Sequence, residues 1–140
     1  MTEYTENDSL TMIYIYKTSD LLEQLEQLIL SGEGVDSFSP SSINEVFRIM
    51  HTLKGSSSMM MYQSITKLAH TLEDIFYYLR EEDPKQVDYS LLSDLVLEGI
   101  DFIKFTIEKI SVGESAEVED EGLFKKMQEF LIDTKRKNAY

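Results

Sequence analysis

The chain holds two histidines and no cysteine, so nucleophilic or metal-ligating chemistry has few places to sit. One of the two, His51, stands in the run Phe47-Arg48-Ile49-Met50-His51-Thr52-Leu53-Lys54-Gly55-Ser56. On a helix, Lys54 and Gly55 at i+3 and i+4 share its face. Relative to Met50, near the middle of the apolar stripe, His51 is rotated by about 100°, to the boundary between core and water. Further along, Thr66, His70, Glu73 and Tyr77 recur at i, i+4, i+7 and i+11, a polar line beside a second apolar stripe. His51 and Glu73 each lie 11 positions from Tyr62, where a short connection is centred. Equal distances from the turn of a helical hairpin give equal heights, so the Glu73 carboxylate is expected within reach of the His51 ring.

Such a pair has a defined chemistry. A carboxylate that accepts Nδ1–H fixes the imidazole tautomer, aims the ring and leaves Nε2 with a free lone pair. Imidazole, with an unperturbed pKa of about 6.5, is largely neutral near pH 7 and needs no strong base to act as a nucleophile. Lys54 can neutralise an incoming phosphoryl oxygen. Gly55 removes a side chain where a partner's surface needs close approach. Together these residues describe an imidazole that accepts and returns a phosphoryl group.

Competing chemistries lack their parts. Di-metal centres in helical bundles use Glu-x-x-His pairs, whereas Arg48 and Lys67 stand three residues before the two histidines. Without cysteine there is no disulfide, thiolate catalysis or cysteine-ligated metal. No metal is therefore expected. No glycine-rich phosphate loop with its lysine appears, so no self-contained ATP site is expected either.

The elements that must position these residues read as helices throughout. Only two prolines, Pro40 and Pro84, interrupt 140 residues. The first helix, about 8–31, carries Leu10, Tyr14, Leu21, Leu25 and Leu28, widened by Ile13, Leu22 and Ile29, and is expected to end at Gly32 and Gly34. The second, about 42–61, carries Ile43, Val46, Phe47, Met50, Leu53 and Met60, and Ser42 with Glu45 fits a capping box at its start. The third, about 64–81, buries Ile65, Leu68, Ala69, Leu72, Ile75, Phe76 and Leu79. A fourth, about 89–111 and capped by Asp88, carries Leu92, Leu95, Val96, Gly99, Phe102, Ile103, Phe105 or Thr106, and Ile110. A shorter fifth, about 120–134, carries Leu123, Phe124, Met127, Phe130 and Leu131. The expected fold is all-α: one domain over 1–140, an up-down four-helix bundle with an additional C-terminal fifth helix.

Composition narrows the partners. A formal net charge of −13 disfavours nucleic acid and anionic membrane surfaces. No apolar run approaches the roughly 20 residues that span a bilayer. The opening Met1-Thr2-Glu3-Tyr4-Thr5-Glu6 lacks the basic start of a secretory signal, so a cytoplasmic location is expected.

At the residue level, the run from Phe47 to Ser56 resembles the phosphorylation motif of histidine phosphotransfer (HPt) domains, most closely those that open CheA-type chemotaxis histidine kinases. Leu68-Ala69-His70-Thr71-Leu72-Glu73 is similar to the same group's second histidine and glutamate, and the likeness runs through the first helix around Glu26-Gln27. The resemblance implies that His51 is the phosphoacceptor, with Glu73 its Nδ1 partner and Lys54 and His70 in the same hydrogen-bonded site. It further implies that the domain binds no ATP or other cofactor. Phosphate would come from a separate kinase ATP-binding domain, in cis or trans, and pass to an aspartate of a response-regulator receiver domain. Arg48, Lys54, Gly55 and Ser58, which surround His51, are expected to meet the partner. The sequence departs from the family pattern at Met61, where glycine often precedes the aromatic. The CheA-like details favour a fragment of a longer histidine kinase, with Lys135-Arg136-Lys137 opening a linker; a freestanding phosphorelay carrier is the alternative. A helical docking or adaptor bundle that is never phosphorylated is the rival function, and it has no need of an exposed His51.

Overall fold

The structure, a computed structural model, describes residues 6–31 and 37–139. Among these are five helices and no strand: α1 (Glu6–Ser31), α2 (Pro40–Met59), α3 (Gln63–Glu82), α4 (Tyr89–Ser111) and α5 (Glu121–Lys137). The expected helix end at Gly32 and Gly34 lies outside the described residues.

Neighbour relations define a closed four-helix ring, α1 on α2, α2 on α3, α3 on α4 and α4 on α1, with α5 laid against α3 and α4. Directions follow from cross-helix pairs. Tyr14, early in α1, meets Ser57, late in α2, through a 2.7 Å hydroxyl contact. Glu26, late in α1, accepts a 2.7 Å hydrogen bond from Lys104 of α4. The α5 pairs Lys67 over Phe124 and Lys135 over Tyr78 show α5 running parallel to α3. The core is formed by the inward faces of all five helices, including Leu22, Leu25, Met50, Leu53, Leu72, Phe76, Leu92, Leu95, Ile103 and Met127. Each fully buried aliphatic or aromatic side chain of this kind contributes about 1.5–3 kcal/mol.

The helix ends differ from the expected ones in instructive ways. α2 starts two residues earlier than Ser42, and its N-cap is Ser39, whose hydroxyl accepts from the Ser42 amide at 3.1 Å. Pro40 is the reason: it lacks an amide hydrogen and has its φ preset, so it fits the first helical position. At the other end α2 stops at Met59. The Tyr62 amide donates to the Ser57 carbonyl and the Met61 amide to the Ser58 carbonyl, with Met61 at φ 63°. This is a Schellman cap, which places its C′ residue in the left-handed region. Asp88 and Asp120 cap α4 and α5 through their side chains.

Two stripes also differ. Leu10 and Ile13 are exposed, not core. Tyr14 is level with Ser57, near the end of α2, so the turn of α1 that carries Leu10 extends past the helix it would pack on, whereas Ile13 shares the exposed face of α1 with Tyr16 and Lys17. α4 buries more than one stripe, adding Ile100 and Ile107 and turning Thr106 inward while Phe105 stays exposed. It is the helix that packs on α1, α3 and α5 together.

Candidate functional site

The α2–α3 hairpin builds the site. The tight turn at Met60–Tyr62 makes the two helices antiparallel neighbours, and their polar edges meet along one seam. Nδ1 of His51 lies 2.9 Å from Oε2 of Glu73, and Nζ of Lys54 lies 2.9 Å from Oε1 of the same carboxylate. A carboxylate has no hydrogen to give, so Nδ1 carries the proton and donates it. Nε2 is the ring nitrogen left with its lone pair, and the His51 side chain is 64% exposed.

Glu73 is the buried member of the group, its side chain 11% exposed. Burial works against its charge, yet the hydrogen bonds from Lys54 and His51, reinforced by their charges, hold its carboxyl below the usual range. Glu73 is thus an ionised anchor at the helix interface, with both oxygens engaged by α2.

The structure does not bring His70 into this group. Its Nε2 lies 3.6 Å from Oδ1 of Asp74, one turn along α3, and both side chains are exposed. Arg48 is exposed, 4.0 Å from Glu45. Gly55 and Ser58 are exposed on the His51 face of α2. A Cβ built at Gly55 would meet nothing within 4 Å, so the packing of this chain does not require glycine there. Among the described residues no three His, Asp or Glu side chains are grouped to hold a metal ion.

One neighbour of His51 was not expected at the site. Phe47, assigned by its spacing to the apolar stripe, is only half-buried, and its ring stacks on the imidazole with centroids 6.1 Å apart and planes 18° from parallel. Tyr77 tilts against Phe47 at 6.1 Å, and the Arg80 guanidinium lies 4.1 Å from the Phe47 ring centre. The signal was present in the i, i+4 spacing of Phe47 and His51, which puts the two rings on one face.

Comparison with known proteins agrees with this architecture. The model of the Hpt domain family matches residues 10–101. The chemotaxis protein CheA of Borreliella burgdorferi is 32% identical over 127 residues, covering 91% of this chain and 14% of that protein. The CheA of Treponema pallidum is 30% identical over 81% of this chain and 14% of its own length. The sensor histidine kinase CheAY of Helicobacter pylori is 31% identical over 65% of this chain and 11% of its own. No solved structure matches. The chain belongs to the Hpt domain family, the histidine phosphotransfer domains. It spans about a seventh of the length of the CheA relatives that it matches.

Proposed function

We propose that His51 is the phosphoacceptor of a chemotaxis-type two-component system. The observation that carries this reading is the Glu73 carboxylate 2.9 Å from Nδ1, on the side of the ring away from an exposed Nε2. The lone pair of Nε2 attacks the γ-phosphorus of ATP held by a separate kinase domain, in cis or in trans. An N–P bond forms as the bond to the ADP oxygen breaks, and ADP leaves with that electron pair. The ring keeps its Nδ1 proton and becomes cationic, a charge that ionised Glu73 stabilises. In the second transfer a receiver-domain aspartate oxygen attacks the phosphorus, the N–P bond breaks, and its electrons return to Nε2 as the lone pair.

The supporting roles divide by position. Lys54 holds Glu73 and puts a cation one helical turn from the acceptor. Gly55, Arg48 and Ser58 present the surface that the kinase and receiver domains approach, and the open space at Gly55 supports its part in this. His70 is assigned to the periphery of that surface, paired with Asp74. This domain needs no cofactor of its own. No helix among the described residues is long and apolar enough to cross a membrane. That feature and the CheA relatives support a cytoplasmic setting, within a CheA-type histidine kinase.

Transfer of labelled phosphate from ATP by a CheA-type kinase core supplied in trans tests the reading. Acid-labile, base-stable label that is lost in His51→Gln and kept in His70→Gln is the expected result. Label lost only in His70→Gln would move the site, and a chain that no active core labels would be a docking bundle.

A further inference from the structure

We infer that Phe47 is a positioning residue for the phosphoacceptor, fixing the plane of the imidazole that Glu73 alone cannot fix; this rests on His51 being the acceptor. One hydrogen bond holds Nδ1 near Oε2 but does not by itself fix both χ1 and χ2, so the tilt of the ring retains some freedom. For Nε2 that freedom matters, because attack on phosphorus requires its lone pair in line with the bond that breaks. The Phe47 ring, 18° from parallel with the imidazole at 6.1 Å, supplies the second constraint from a residue one turn earlier on the same helix.

Phe47 is itself held. The Arg80 guanidinium lies 4.1 Å from its ring centre, and Tyr77 packs against it at 6.1 Å and 40°. Nη1 of Arg80 donates to Oδ1 of Asn44 at 3.2 Å, so α3 ties down the start of α2 on the side of Phe47 away from His51 in sequence. The imidazole therefore has two guides with different geometry: Glu73 from α3 through an edge nitrogen, and Phe47 from α2 through the ring face. Phe47 is also only half-buried, so the core alone does not account for an aromatic there.

The test uses Phe47→Leu, which keeps most of the apolar volume without a flat face, and Phe47→Tyr, which keeps the face. With the kinase core in trans, the expected result for Phe47→Leu is a fall of about tenfold in the maximal phosphorylation rate with the half-saturating concentration unchanged. Phe47→Tyr should restore the rate. NMR relaxation of the His51 ring carbons should show a rigid ring in the parent and in Phe47→Tyr, and a mobile one in Phe47→Leu. An unchanged maximal rate, or a raised half-saturating concentration alone, would overturn the proposal, the latter making Phe47 a docking contact. If Phe47→Leu does not fold, the parent decides, since a His51 ring as mobile as an ordinary surface histidine also overturns it. The His51→Gln control keeps the two ideas apart, because label surviving in that variant removes the acceptor assignment without touching the measured rigidity of the ring.

Discussion

Glu73 joins His51 and Lys54 of α2 through its two oxygens, and this double engagement makes it more than an orienting group. Its folded carboxyl is held below the ordinary value of 4.5, despite burial, by Lys54 and His51. A depressed acid contributes stability that is fully present above about pH 4.5 and is lost as pH falls through the lower folded value. Melting curves of the parent and Glu73→Gln should therefore converge as the pH is lowered from about 6 through that range. A constant gap would show that the charge does not matter. In phosphotransfer, Glu73→Ala should slow labelling of His51 by at least about tenfold, measured as the initial rate. Glu73 could be found from the sequence because counting out from Tyr62 is a geometric operation. His70 could not be assigned that way. Its i+4 neighbour Asp74 gives it a local partner, and a polar line along a helix does not say which members turn toward the next helix. Phe47 was hidden for a related reason, since an aromatic at stripe spacing reads as core whether its ring faces inward or along the surface.

At the scale of the helices, the turn that sets the register of α2 against α3 depends on Met61 in a left-handed conformation, φ 63°. For a residue with a Cβ this costs about 1–2 kcal/mol, while glycine carries a larger entropy loss on folding. Met61→Gly should then stabilise the domain by roughly 0.5–1 kcal/mol in denaturant unfolding. Met61 is exposed, so no lost packing opposes the gain. The sequence showed the departure from glycine here, and the backbone shows that the left-handed geometry survives it. The N-cap of α2 lies three residues before Ser42, because Ser39-Pro40-Ser41-Ser42 offers more than one hydroxyl with capping character and the Pro40 ring decides for Ser39. Ser39→Ala should cost about 1 kcal/mol, and Ser42→Ala distinctly less, in the same measurement. Equal losses would restore Ser42 as the cap. The helices themselves were legible, since stripes such as Ile65 to Leu79 face a single core. In α4 the buried face also takes in Ile100 and Ile107, so spacing along a single stripe undercounts it.

Across the whole molecule, stability and chemistry are held in different places. α5 packs on α3 and α4, with Met127 fully buried against Gly99, where an added Cβ would come within 3.3 Å of the Met127 Cε. The site is made by α2 and α3 on another side of the ring. Met127→Ala should therefore destabilise the fold by about 2–4 kcal/mol while the labelling rate per folded molecule stays unchanged. Arg48, Lys54 and Arg80 stand near His51 on α2 and α3, each beside a carboxylate, Glu45, Glu73 and Glu81 respectively, so the charges around the site are locally matched.

The central claim, that His51 carries the phosphoryl group, is tested most directly by labelling the domain with ATP and a CheA-type kinase core and comparing the parent with His51→Gln. Acid-labile, base-stable label on the parent and none on a His51→Gln variant that melts like the parent is the predicted result. Label that persists undiminished on His51→Gln would contradict it.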